Sequence, residues 1–262
     1  SKGRLEIGVG RGIVPFELMI NGINPLEARE IYRETLEILE LGLTKPAITF
    51  RGTYHRLIDV PLALSPYQKP HPPFWYGVFT DPETAVIPAR KGWNICGITD
   101  SASIAVAIAR YRSAVDGVVA AHVKLAMNRI VVLADTDAKA DELARKALTT
   151  YKEALNYLWG KFGAKAAQLP KTFEDLKAKE FLITGSPDTV RAELARQAKI
   201  AGANYCMVKF SLGDLSDAAA DNSIDLFVRE VMPAFASNDS RTKFEREMLA
   251  PGGGPSCSAL RS

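Results

Sequence analysis

Apolar and polar positions along the chain follow two alternating periods. Five short apolar runs are closed by glycine or turn residues: RLEIGVG (4–10), PFWYGVF (73–79), NICGI (94–98), MNRIVVLAD (127–135) and ANYCMVKF (203–210). Their length and closure predict buried strands. Between them the period becomes helical. In NPLEAREIYRETLEILELGL (24–43), Ala28, Ile31, Tyr32, Ile38 and Leu39 share one face. Asn24 is placed to cap that helix, with Pro25 at its first position and Glu27 closing a capping box. TDPETAVIPARKG (80–92) predicts a short helix limited by Pro88. DSASIAVAIARYRSAVDG (100–117) carries Ile104, Ile108, Tyr111 and Val115 in register, and the helix from Asp137 to Trp159 carries Leu143, Ala147, Tyr151, Leu155 and Leu158. FLITG (181–185) reads as an accessory strand leading into a helix at SPDTVRAELARQAKIAG (186–202), and NSIDLFVREVMPAF (222–235) as a closing helix.

Three stretches break the alternation. AITFRGTYHRLIDV (47–60) predicts a hairpin turning near Arg51-Gly52, and the proline-rich PLALSPYQKPHPP (61–73) predicts extended chain. GAKAAQLPKTFEDLK (163–177) is read as irregular. The periodicity fades from Ser237, so residues 1–236 are expected to form one domain and 237–262 a disordered tail.

Repeated strand–helix units point to a parallel sheet covered by helices, either an open doubly wound sheet or a closed barrel of eight units. Counting five strands does not choose between them.

Composition narrows the function classes. The 262 residues are 47% hydrophobic, with a formal net charge of +3. There is no basic block and no basic-aromatic stripe, which argues against nucleic acid, and no apolar run approaches a membrane span. No signal peptide is visible, and three widely spaced cysteines (Cys96, Cys206, Cys257) show neither metal spacing nor a disulfide framework. A reducing cytoplasm is the expected compartment. His55, His71 and His122 lack partners at ligand spacing, so no metal site is expected. No nucleophile triad or paired-carboxylate pattern is visible, and no catalytic residue is assigned.

In both architectures ligands sit at the C-terminal ends of the strands. Three such ends are unusual: GVGRG (8–12), Thr80-Asp81-Pro82-Glu83-Thr84, and Gly185-Ser186-Pro187-Asp188-Thr189. The last two share the grammar of a capped helix start, which offers free N–H groups and the positive end of the helix dipole to an anion. Plain capping explains each of them equally. In the first, glycines let the backbone approach a flat ligand, and Arg11 can fork onto a phosphate. A salt bridge between loops is the simpler role for Arg11. GVGRGIVP is not a dinucleotide fingerprint, because the third glycine is missing and Pro15 stands where the helix would begin. Trp75 and Tyr76 lie on one strand, so only one of them can face the interior. Lys209 stands near a strand end, where it could reach a ligand or simply be solvated.

GRLEIGVGRG, DVPLALSPYQKPHPPFWYG, LITGSPDTVRAEL and LFVREVMPAF, in this order over residues 3 to 235, resemble the bacterial luciferase-like flavin-dependent monooxygenases. The resemblance implies an eight-unit parallel (β/α)8 TIM-type barrel with FMN, or a deazaflavin in some branches, at the strand ends. It implies a cofactor site built from Gly10, Arg11, Gly12, Thr80, Asp81, Thr84, Gly185 and Ser186, with Arg11 on the phosphate. It also implies oxygenation of a small organic substrate by reduced FMN and O2, a separate flavin reductase, and a homo-oligomer. The alternatives are deazaflavin-dependent hydride transfer and a non-catalytic flavin-binding subunit. GVGRG matches the end of the family's fourth strand. The barrel is therefore expected to be incomplete, with five of eight units present and the catalytic histidine of the luciferase branch in the absent part.

Overall fold

The apolar runs become the strands of one parallel sheet. The computed structural model describes residues 2–12, 14–161 and 172–235. In chain order, β1 (Ile7–Val9) is followed by α1 (Pro15–Ile20), α2 (Ala28–Thr44), β2 (Ala47–Arg51) and β3 (Arg56–Pro61). Next come β4 (Phe74–Val78), α3 (Val86–Lys91, entered through a 3-10 turn at Pro82–Ala85), β5 (Asn94–Gly97) and α4 (Ser101–Ser113). The second half holds β6 (Leu125–Leu133), α5 (Asp137–Lys161), α6 (Phe173–Ala178), β7 (Leu182–Gly185), α7 (Pro187–Ala201), β8 (Tyr205–Lys209) and α8 (Asp217–Leu226).

The register settles the topology. β1 pairs β4, β4 pairs β5 and β5 pairs β6, all parallel. Ala126 and Met127 of β6 have partners in both β5 and β8, and Ile130 has partners in both β7 and β8. A strand has two edges, so β8 runs along one edge of β6 while β5 and β7 share the other. The main path is β1-β4-β5-β6-β8, in sequence order without the reversal of a doubly wound sheet. Among the described residues, β1 pairs only β4 and β8 pairs only β6, so the main path ends in an open parallel edge at each side, and β7, paired only with β6, keeps a free edge of its own.

Side-chain contacts show that the sheet is curled. Neighbouring strands lie about 4.8 Å apart, so β4 and β8 would stand roughly 14 Å apart in a flat sheet. The rings of Trp75 on β4 and Tyr205 on β8 nevertheless have centroids 5.5 Å apart. Cys96 Sγ on β5 lies 3.6 Å from Met207 Sδ on β8. These four side chains mark the concave face of a half-barrel. By alternation, Gly8, Gly77, Ile98, Asn128, Ile130 and Lys209 share that face.

The convex face forms the main core, with Phe74, Ile95, Leu125, Met127 and Val131 packed on Ile104, Ile108 and Tyr111 of α4 and on Val190 and Leu194 of α7. A second core lies at the upper end of the concave face, where α5 and α6 cover Ile130, Val132 and Leu182 through Ala144, Ala147, Leu148, Phe173 and Leu176.

The closing helix, expected over 222–235, runs instead from Asp217 to Leu226 and continues as a wider turn at Phe227–Val231 and a 3-10 turn at Met232–Ala234. The helices differ from expectation at three further places. The first long helix starts at Ala28, because Asn24 is used in a turn, where its Oδ1 accepts from Leu26 N at 3.1 Å. Pro15 opens the short α1, its fixed φ and missing N–H suiting a first helical position. Phe173–Ala178, read as irregular, is a helix capped by the Thr172 hydroxyl; residues 163–171 and the tail beyond Phe235 lie outside the described residues. The 47–60 hairpin forms as expected. Its turn is pinned by Glu34 of α2, whose carboxylate accepts from the N–H groups of Thr53, Tyr54 and His55.

One serine completes the sheet. β8 stops pairing at Ile130, so Leu133 has no strand partner on that edge. Ser223 of α8, fully buried, fills the gap: its Oγ accepts from Leu133 N at 3.1 Å and donates to Leu133 O at 2.9 Å. Ser223→Ala leaves both buried groups unpaired and is expected to lower stability by about 1–3 kcal/mol. Urea denaturation, with the slope unchanged, checks this.

Candidate functional site

The floor of the half-barrel is built at the N-terminal ends of the strands. Lys124, just before β6, donates to Glu6 at 2.9 Å and lies over the rings of Trp75 (5.4 Å) and Tyr205 (5.0 Å). Trp75 Nε1 also donates to Glu6. The Lys124 hydrogen bond holds the Glu6 carboxyl below its usual range, against the opposing effect of burial. Asn94 and Asn204 flank this layer by accepting from Lys124 N and Leu125 N. The alternation is thereby resolved: Trp75 points inward, and Tyr76 points outward against Tyr32 of α2, with ring centroids 5.9 Å apart.

Above this floor the wall is small or neutral. A Cβ placed on Gly8 or Gly10 would meet nothing within 4 Å, so the end of β1 opens onto free space. Cys96 is half-buried in this wall and Cys206 is half-buried on the opposite, convex face; burial pushes both thiols up to about 11, with Arg129 opposing. A raised thiol disfavours the thiolate, the nucleophilic form.

Arg11 follows Gly10 at the mouth. It is exposed and has no ion pair or hydrogen bond among the described residues. Arg29, in the first turn of α2, acts on the same strand end: its guanidinium and that of Arg11 both oppose the burial that raises the Tyr76 phenol. Thr80-Asp81-Pro82-Glu83-Thr84 stands at the end of the adjacent strand. Asp81 caps the turn by accepting from Glu83 N at 3.0 Å, and pairs with Arg29 at 3.6 Å. Thr84 Oγ1 donates to Asp81 O at 2.6 Å. Glu83 is held by a bidentate Arg110 (2.7 and 2.9 Å). Gly12, at φ +86°, turns the chain toward α1.

Gly185-Ser186 stands elsewhere, on β7 beside the upper part of β6, and its helix start already holds a carboxylate. Asp137 accepts from Ser186 N at 2.7 Å and from Thr189 Oγ1 at 3.0 Å, and these bonds hold its carboxyl below the usual range. A Cβ on Gly185 would strike Thr189 and Asp137, which explains the glycine. Two of the three histidines serve structure: His55 faces Glu34 at 3.3 Å, and His71 Nδ1 donates to Pro72 O at 2.8 Å. No group of three metal-binding side chains occurs among the described residues, and no described helix is long and apolar enough to cross a membrane.

Beside Glu6 and Lys124 of the floor and Asp137 of the helix start, two more charged residues escaped the sequence reading. Arg29 is one; its spacing from Arg11 carries no local signal, since only the fold brings α2 beside the end of β1. The other is Arg129, buried on the convex face, bonded to Gln197 and to Asn128 O and 3.6 Å from Glu180. A charge within MNRIVVL was the available clue. Glu180 in turn accepts from Ser101 N and Arg196, so this network ties α4 and α7 to β6.

A curled parallel sheet with helices on its convex face is the frame of a TIM-type fold, and comparison assigns the family. The chain belongs to the luciferase-like monooxygenases, whose family model matches residues 1–204. The uncharacterized protein y4wF of Sinorhizobium fredii is 31% identical over 219 residues, covering 82% of this chain; the chain spans 64% of that relative's length. The monooxygenase RslO1 from Streptomyces bottropensis shares the fold at TM-score 0.75 and 23% identity, over 90% of this chain and 70% of that one. So does the oxygenating constituent of 3,6-diketocamphane monooxygenase from Pseudomonas putida, solved with FMN (TM-score 0.69, 22% identity, 88% of this chain and 71% of that one). An F420-dependent secondary alcohol dehydrogenase, solved with an F420–acetone adduct, follows at TM-score 0.65 and 18% identity, over 90% of this chain and 71% of that one. The half-barrel expected from the resemblance is therefore the observed fold.

Asp137 carries a pH prediction. Its folded pKa is depressed, so its stabilisation is present above the unfolded value of about 3.9 and is lost as pH falls through the folded pKa. Asp137→Ala should be less stable than wild type near neutrality, and the difference should narrow as pH falls below the unfolded value and through the folded one. Thermal melts of both proteins across that range check it.

Proposed function

We propose that this chain is the flavin-binding part of a monooxygenase that uses reduced FMN and O2 to oxygenate a small organic substrate. The observation that carries the reading is Arg11: a guanidinium without an acid partner among the described residues, following a strand whose Gly8 and Gly10 face open space. Such a group fits a phosphate, and the open backbone fits a flat ring system beside it.

In this reading Arg11 forks onto the phosphate. Thr80 completes the cradle, the Glu83 N–H of the adjacent helix start being taken by Asp81 at 3.0 Å, and Gly10 and Gly12 give the backbone its close approach. Asp81 and Thr84 act one step back. Asp81 caps the turn and holds Arg29 at 3.6 Å, and Thr84 locks the same turn at 2.6 Å. Gly185 and Ser186 are left to Asp137. Reduced FMN, when bound, supplies the electrons that activate O2. The chain's own contribution is to hold the cofactor's anionic end, to close the base of the space with Trp75, Lys124 and Tyr205, and to keep water from the reacting region with Ile98, Ile130 and Met207. A separate reductase would supply the reduced flavin, a reading supported by the diketocamphane enzyme's division into an oxygenating constituent. The F420-dependent dehydrogenase supports a second reading, hydride transfer from a deazaflavin without O2.

Arg11→Ala should weaken FMN roughly tenfold to a hundredfold, the worth of charge-assisted bonds at about 1.4 kcal/mol per decade. Riboflavin, which has no phosphate, should bind both proteins alike. Thr80→Ala should show the same preference more weakly. Fluorescence titrations with both ligands at fixed salt decide; equal losses for FMN and riboflavin would return Arg11 to a loop-holding role.

A further inference from the structure

The concave face is almost without free charge. Glu6 and Lys124 neutralise each other in the floor at 2.9 Å. Above them Gly77, Cys96, Ile98, Asn128, Ile130 and Met207 are uncharged. Among the described residues of this face the exception is Lys209, the last residue of β8. Alternation with Met207 and Tyr205, whose contacts fix them on the concave side, puts Lys209 on the same face. It pairs in register with Ile130, which α5 covers from this side. Its ammonium lies 5.6 Å from the ring centroid of Tyr151 on α5. The side chain is exposed, with no ion pair among the described residues. It stands at a C-terminal strand end, where barrels bind their ligands. Arg11 is at the end of β1, four strand positions away along the sheet, so the two cations serve opposite flanks of the mouth.

We infer that Lys209 selects a substrate carrying a carboxylate. This rests on the flavin reading above, in which Arg11 takes the cofactor's phosphate and the remaining mouth receives the substrate. An ammonium on a flexible stem, steadied by an aromatic face and bordered by neutral walls, offers a small organic acid its one countercharge. The neutral walls supply apolar contact for the rest of the molecule. An uncharged molecule of the same shape gains only that contact.

Benzoate and benzamide are matched in size and differ in charge, and equilibrium dialysis against the FMN-mixed chain compares them. Wild type should prefer benzoate by about tenfold, as expected for a charge-assisted bond at a half-open site. Lys209→Met should weaken benzoate by that factor and leave benzamide unchanged. Lys209→Arg should retain the preference, and added salt should reduce it in wild type. FMN and riboflavin titrations of Lys209→Met should match wild type. Equal binding of benzoate and benzamide by wild type, or a preference that survives Lys209→Met, would overturn the assignment. So would weakened flavin binding by Lys209→Met, which would make Lys209 a cofactor contact. Arg11-dependent FMN binding, read on the same preparations, tests the flavin reading separately; its failure leaves a Lys209-dependent benzoate preference intact.

Discussion

The geometry of the mouth depends on the packing of one ammonium between two rings and a carboxylate. Lys124 joins Glu6 and Trp75 on the β1–β4 flank to Tyr205 on β8. Three strand spacings separate β4 from β8, and only a curled sheet brings those rings to 5.5 Å. Curling aims the concave side chains at one another and spreads the strand ends into a rim. If the sheet were flat, Arg11, Thr80 and Lys209 would be three unrelated surface residues. The contact is partly exposed, so its charge component is modest and its ring packing carries more.

β6 is the second determinant of the site. Its nine residues accept β5 and β7 in succession on one edge and β8 on the other. The outer part of the strand extends past the five-strand frame, and α5 folds over it on the concave side. The mouth is therefore asymmetric. The flank at Gly8 and Gly10 is bare, while the flank at Ile130 and Lys209 is roofed by a helix.

Much of this was legible in the sequence, for physical reasons that vary by element. Short apolar runs closed by glycine are strands because few other structures bury them, and all five were found. Barrel and open sheet could not be separated by counting, since the difference lies in contacts such as Cys96 with Met207, which join residues 111 positions apart. Pro15 and Asn24 misled at helix starts, because a first-turn proline and a turn-forming asparagine look alike before tertiary contacts choose. At the candidate site the local grammar of TDPET and GSPDT is nearly the same, yet their surroundings differ. A distant carboxylate, Asp137, 49 residues before Ser186, occupies one helix start, whereas the other is capped by its own Asp81. Arg29 was invisible for the same reason, since α2 meets the end of β1 only in the folded chain.

Ser223 has a consequence beyond the stability it contributes. A strand that outruns its neighbour displays a bare N–H and C=O, the pattern by which sheets recruit additional strands. Leu133 is such a position, on a strand rich in branched apolar residues. The serine satisfies both backbone groups from a helix, whose shape admits no further partner in the ladder. One hydroxyl thus works as a terminator, preventing the apolar end of β6 from templating self-association.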